Sequence, residues 1–238
     1  MRTKRLAGAV LLGTLSACQW GPPTPLTRAA GAGDVSAVEA LLRHGAAVDA
    51  RDGMGGTALI AAARHGHVGV MRVLIEAGAS VDLPDSRTTR WPPLVHAIHK
   101  RQDAAARLLL DSGARADPVL PGGATPLIFA AVYGETAVVE DLLSRGADPH
   151  RRTKDGMTAL AGAAGAGRVF DVTDGPELGT CHLDTVKALL RNSPDLTLPP
   201  GFWSRTARVL GQSWECKAAF ALLAEHLMSD RGAPGPPR

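Results

Sequence analysis

His96 and His99 stand three residues apart, the spacing that puts two imidazoles on one face of a helix. Imidazole is a common zinc ligand, but a zinc centre needs three or four ligands. No Cys, Asp or Glu at ligand spacing accompanies this pair, so no metal site is read here. Ser213, in Leu210-Gly211-Gln212-Ser213-Trp214-Glu215, is the nearest approach to an activated hydroxyl. It lacks the second glycine and the strand-turn-helix setting that lift a hydrolase serine out of its backbone. The sequence holds no phosphate-binding loop, no G-x-G-x-x-G segment and no paired-carboxylate signature. The reading is a chain without catalytic residues and without a cofactor.

Cysteine chemistry is more informative. Residues 1–17 carry Arg2, Lys4 and Arg5 and no acid, and 6–14 form a short apolar stretch. That stretch is well below the ~20 residues needed to span a bilayer, and a basic segment before a short apolar one reads as a leader. Leu15-Ser16-Ala17-Cys18 then resembles the lipobox of bacterial lipoproteins. The resemblance implies a signal peptide over 1–17, an acylated Cys18 and a short linker over 18–23. Gln19 is similar to the outer-membrane sorting pattern of Gram-negative lipoproteins, so the expected place is the periplasmic side of the outer membrane. The alternative is an ordinary secretory signal with a chance cysteine. With Cys18 acylated, Cys181 and Cys216 remain. Outside the cytoplasm they can pair and pin the chain between them, or stay as two thiols; the sequence leaves both readings open.

The charge balance excludes one class of partner. The full chain is formally +3 with a pI near 9.0, but without residues 1–17 it has 23 basic and 23 acidic side chains. A neutral chain gives no reason to expect nucleic acid.

The elements that carry these residues recur. A leucine-type pair, two residues and then Gly-Ala appears at Leu41-Leu42, Leu74-Ile75, Leu109-Leu110 and Leu142-Leu143. The following glycines, Gly45, Gly78, Gly113 and Gly146, are 33, 35 and 33 residues apart. A second marker keeps step upstream: Thr24-Pro25-Leu26, Thr57-Ala58-Leu59, Pro92-Pro93-Leu94, Thr125-Pro126-Leu127 and Thr158-Ala159-Leu160. Thr before Pro or Ala is an N-cap and first helical residue. Alanine pairs then lead to Gly33, Gly66, Gly134 and Gly167, which read as helix terminators. Two markers on one period predict stacked helix-turn-helix units.

Thr125 to Ala131 and Arg145-Gly146-Ala147-Asp148-Pro149 resemble the ankyrin repeat. The fold this implies is all-α: a solenoid of about five helix-turn-helix units over residues 24–228, closed by a degenerate C-terminal unit in 206–228. Residues 53–56 are then a finger turn, and His96 orders the turn between units. Three breaks stand out. Pro92 replaces the capping Thr, Arg101 stands where Gly is usual, and about 14 extra residues near 169–183 split the fifth unit. The Pro/Gly-rich tail 229–238 reads as disordered.

The resemblance also implies where a partner protein would dock. Carried over position by position, the variable finger residues include Met54, Trp91, Lys154 and Asp155. Those near the inner-helix ends include Arg64, His65, His99, Lys100, Val132 and Tyr133. The expected function is non-enzymatic binding of a protein by a monomer tethered to the membrane, as an inhibitor or immunity protein. The alternative is a scaffold or stress-protection factor with several weak partners; a remoter one is a hydrolase using the insertion and the C-terminal segment.

Overall fold

The computed structural model describes residues 22–166, 180–199, 202 and 214–230, with backbone alone at 166 and 227–230. Leader, lipobox, Cys18 and Ser213 fall outside the described residues, as does most of the segment read as an insertion. The described chain is helical, and its helices alternate between two rows. The inner row is α1 (Pro25–Ala32), α3 (Ala58–His65), α5 (Pro93–His99), α7 (Pro126–Tyr133) and the three-residue α9 (Ala159–Ala161). The outer row is α2 (Val35–Arg43), α4 (Val68–Glu76), α6 (Asp103–Asp111), α8 (Thr136–Ser144) and α10 (Leu183–Asn192). Each helix packs on its neighbours in its own row and on its partner within the unit. The last helix, α11 (Trp214–Asp230), packs against α10 and the turn after α9. It runs two residues into the segment read as a disordered tail.

Local chemistry sets these boundaries. The hydroxyls of Thr24, Thr57, Thr125 and Thr158 accept from the backbone N–H of Thr27, Ile60, Ile128 and Ala161. Each satisfies one donor that a helix start leaves unpaired. Pro92 has no oxygen to offer, and α5 begins without a side-chain cap. The inner helices end in the left-handed region at Gly33, Gly66 and Gly134, with φ of 76°, 70° and 72°. In the third unit Arg101 takes that conformation with φ 56°, which a side chain adopts only at a cost. The expected terminator Gly167 lies outside the described residues. Gly165 already turns left-handed (φ 85°) within the five-residue π turn Gly162–Ala166.

Backbone bonds locate the insertion. Asp34, His67, Gln102 and Glu135 each donate an N–H to a carbonyl five residues back, that of Ala29, Ala62, Ala97 and Ala130. In the fifth unit the matching bond runs from His182 to Ala163, 19 residues back. Fourteen residues are therefore inserted between Ala166 and His182, and Leu183 opens α10 rather than closing the insertion.

The core is repetitive. Leu59, Leu94, Leu127 and Leu160 of the inner row and Leu74, Leu109, Leu142 and Leu189 of the outer row are fully buried. Each such leucine contributes roughly 1.5–3 kcal/mol relative to exposure. Ala30, Ala63, Ala131 and Ala164 stand at the inner-row contacts with no exposure, so neighbouring helices approach closely. Carboxylates clamp unit to unit along the loops: Asp49 to the Ser80 N–H (3.1 Å), Asp82 to the Arg115 N–H (3.1 Å), and Asp117 to the Arg151 guanidinium (3.1 Å).

Candidate protein-binding surface

The fingers between units are hairpin-like loops held to one another by single backbone bonds. Ser86 N–H donates to the Gly55 carbonyl (3.1 Å) and Lys154 N–H to that of Gly122 (2.8 Å). Asp52 shapes the second finger by accepting from the N–H groups of Met54 and Gly56, both at 2.9 Å. That turn lifts Met54 out, leaving it 47% exposed. Lys154 and Asp155 are exposed on the fifth finger, and Arg64 and His65 on the end of α3. Lys100, the C-cap of α5, is half-buried, as is Val132, whose methyl packs on Gly162 of the next unit. His65 stacks on His67 at 5.8 Å. Desolvation, then the positive neighbours His67, Arg64 and Lys100, hold its pKa below the usual histidine range.

Three expected surface residues are core residues instead. Trp91, His99 and Tyr133 are 8%, 7% and 2% exposed. Trp91 packs edge-on against Phe129 (4.9 Å), His99 (5.3 Å) and His96 (5.6 Å), and His99 Nδ1 lies 2.6 Å from the Tyr133 hydroxyl. The fourth unit sets Phe129 against Trp91 and Tyr133 against His99, so the aromatic faces close on each other across the stack. The expectation that these three side chains present themselves to a partner is corrected accordingly. The two histidines are not a metal pair either. His96 faces Asp85, His99 faces Tyr133, and among the described residues no group of three His, Cys, Asp or Glu could hold a metal ion.

Asp85 is the residue that sequence reasoning missed. It is 3% exposed, and seven donors converge on its carboxylate. Oδ1 accepts from the N–H of Thr88 (2.9 Å), Thr89 (3.1 Å) and Arg90 (3.2 Å) and from the Thr88 hydroxyl (2.7 Å). Oδ2 accepts from the Thr89 hydroxyl (2.7 Å), the Trp91 N–H (3.1 Å) and His96 Nε2 (3.2 Å). Burial alone would raise its pKa, but the bonds from His96, Thr89 and Thr88 outweigh it and hold the carboxyl well below the ordinary range. Burial lowers the pKa of His96, against the pull of Asp85. An Asp-Ser-Arg-Thr-Thr run before Trp was the available signal, since Asp and Thr both favour bonds to nearby backbone.

The two helix rows carry different charge. The sequences of α1, α3, α5, α7 and α9 contain no Asp or Glu. Exposed on this row and its C-terminal turns are Arg28, Arg64 and Arg101, beside half-buried Lys100. The carboxylates Glu39, Glu76, Asp103, Asp111, Glu140, Asp141 and Asp184 all lie on the outer row. A nearly neutral chain is thus sorted into a basic inner face and a mixed outer one.

A family model described as ankyrin repeats (3 copies) matches residues 9–85 and 80–153. The chain belongs to the ankyrin-repeat family. The chain is also similar to part of Zygote-specific protein 3 of Chlamydomonas reinhardtii, 40% identical over 89 residues, 37% of this chain and 23% of that protein. A second relative is the Ankyrin repeat and LEM domain-containing protein 1 homolog of Caenorhabditis elegans. It is 43% identical over 61 residues, 26% of this chain and 9% of that protein. The matched stretches span less than a quarter of either relative's length. Ankyrin arrays are binding modules, and their extended face is the ordinary place for a protein partner.

At the other end of the array Cys181 and Cys216 are joined in a disulfide, with Cα atoms 5.0 Å apart. Both are buried. The bridge ties the residue preceding His182 to α11, which has no partner unit of its own among the described residues. Of the described helices, none is long and apolar enough to cross a membrane.

Proposed function

We propose that this ankyrin array is a non-enzymatic binding protein that captures an acidic protein surface on its inner-helix and finger face. The observation that carries the reading is the absence of carboxylates from the inner row, beside exposed Arg28, Arg64 and Arg101; the fingers add exposed Met54 and the oppositely charged neighbours Lys154 and Asp155. A basic face steers an acidic partner and rejects basic ones, and an exposed methionine adds adaptable apolar contact. Reversing charge at Arg64 and Lys154 together (R64E/K154E) is expected to lower capture of a co-purifying acidic protein at least tenfold. Pull-down quantified against the unaltered chain measures this; equal recovery rejects the face. Both side chains are exposed, so their replacement leaves the core intact.

The array is further proposed to be held on the envelope through acylated Cys18 and to neutralise a harmful partner there as an inhibitor or immunity protein. The lipobox-like Leu15-Ser16-Ala17-Cys18 supports the first part. Two or more acyl chains hold a protein on a bilayer effectively for good. Cys18→Ser is expected to move the protein from the membrane to the soluble fraction on cell fractionation. Retention on the membrane would reject acylation as the anchor.

A further inference from the structure

The residue that opens each outer helix has a second task, reaching back to the preceding unit. His67 lies over Gly33, and its Nε2 donates to the Gly31 carbonyl at 3.1 Å. His182 lies over Gly134, and its Nε2 donates to the Val132 carbonyl at 3.1 Å. Gln102 lies over Gly66, with its amide donating to the Lys100 carbonyl at 3.0 Å. Twice, at His67 and His182, the side chain gives a hydrogen to the preceding unit, whereas the Gln102 amide donates within its own unit and lays Oε1 over Gly66.

At the fourth such position stands Glu135. It is 6% exposed, and among the described residues neither carboxyl oxygen has a hydrogen-bond partner. Beneath it the left-handed residue is Arg101 instead of glycine. The Arg101 Nε is 3.8 Å from Glu135 Oε1, too far for a hydrogen bond, and its side chain is 63% exposed, so water rather than the carboxylate satisfies most of its charge. A buried, unpartnered carboxylate is costly, and a neutral carboxyl can donate as the two histidines do. The register equivalent of the Gly31 and Val132 carbonyls is that of His99, at the end of α5.

We propose that Glu135 is a proton-operated latch between the third and fourth units. Neutral, it donates back to the end of α5 and closes the junction; ionised, it is drawn toward Arg101 and water and loosens it. The charged and titratable groups around it are few. Arg101 follows α5, and Asp103 opens α6 and disfavours a second negative charge. Inner helix α7 contributes Tyr133, held to His99. On the α10 side His182 feels Arg101 and, from α11, Glu215. Burial first, then Asp103, pushes the carboxyl up to about 8 against the opposing pull of Arg101. The latch would therefore open in the mildly alkaline range. It would free the same end of the inner row where Lys100 and Arg101 lie and, one unit on, where the inserted segment rejoins at His182.

The sign of the linkage is fixed by the direction of the shift. A carboxyl with a raised folded pKa stabilises fully below its unfolded value of about 4.5, and that advantage is lost as pH rises toward 8. The test is urea unfolding of the full chain at pH 5 and pH 8.5, beside Glu135→Gln, which keeps a donor and cannot ionise. The unaltered chain should lose 100- to 1000-fold more in its folding equilibrium constant between the two pH values than Glu135→Gln does. Carbon-13 titration of the Glu135 carboxyl in the unaltered chain gives a second measurement that needs no folded variant. Its midpoint should lie near 8 and move higher in Arg101→Gly. Parallel pH profiles for the two chains, or a midpoint near 4.5, would overturn the latch.

Discussion

Asp85→Ala is expected to destabilise the protein by about 3–5 kcal/mol, the summed cost of taking a charged acceptor away from a network of hydrogen bonds. The carboxylate accepts from four residues of its own finger and from His96 on α5 (3.2 Å), so its loss leaves the buried Trp91 N–H and His96 Nε2, and the part-buried donors of Thr88, Thr89 and Arg90, without their acceptor. Asp85→Asn should fail as well. Its amide would turn donors toward the N–H of Trp91 and the hydroxyl of Thr89, both of which need an acceptor. For a protein of this size the alanine variant should melt roughly 10 °C lower. Urea unfolding at pH 7 measures the loss directly, and a change under 1 kcal/mol would show that the finger holds itself without the carboxylate. The acid side follows from the same geometry. Asp85 has a depressed folded pKa, so its contribution is present above the unfolded value near 3.8 and is lost as pH falls through the folded one. Asp85 and Glu135 thus give opposite slopes, one costing stability in acid and the other toward alkaline pH.

The second large effect is expected from the disulfide. Cys181 and Cys216 are 35 residues apart, and closing a loop of that length restricts the unfolded chain by about 2–4 kcal/mol. Cys216→Ser, or reduction of the unaltered chain, should remove that contribution, and the two losses should not add. In a stacked array each unit contacts only its neighbours, so the damage should stay at the C-terminal end. Hydrogen exchange should quicken across α10 and α11 and remain unchanged in α3 to α6. Uniform acceleration through the whole array would refute local capping by α11. A bridge of this kind persists in an oxidising compartment, in keeping with the proposed envelope location.

Most of the backbone was legible because its causes are local. Thr57, Thr125 and Thr158 cap helices through bonds three residues long, and Gly33, Gly66 and Gly134 turn the chain by their own φ. The period of the Gly-Ala ends then places the units in register. Arg101 was visible as the residue out of pattern, though only the folded chain shows that it accepts the left-handed turn. Trp91, His99 and Tyr133 were misplaced for a specific reason. Tryptophan and tyrosine suit a binding surface and a core equally well, and what settles the matter is the approach of Phe129 to Trp91, 38 positions away. Asp85 was overlooked because a single carboxylate in a polar loop resembles any turn residue until seven donors are seen to point at it.

The sequence by itself determined the repeat, its helix boundaries and the places where the pattern breaks, since each depends on residues within a turn or two of one another. Tertiary structure decided which of those residues face solvent. It buried the Trp91 cluster and joined Cys181 to Cys216. It also set Glu135 over an arginine where its counterparts stand over glycine. All three outcomes depend on contacts between units, and no periodicity within one unit encodes what the next will place against it.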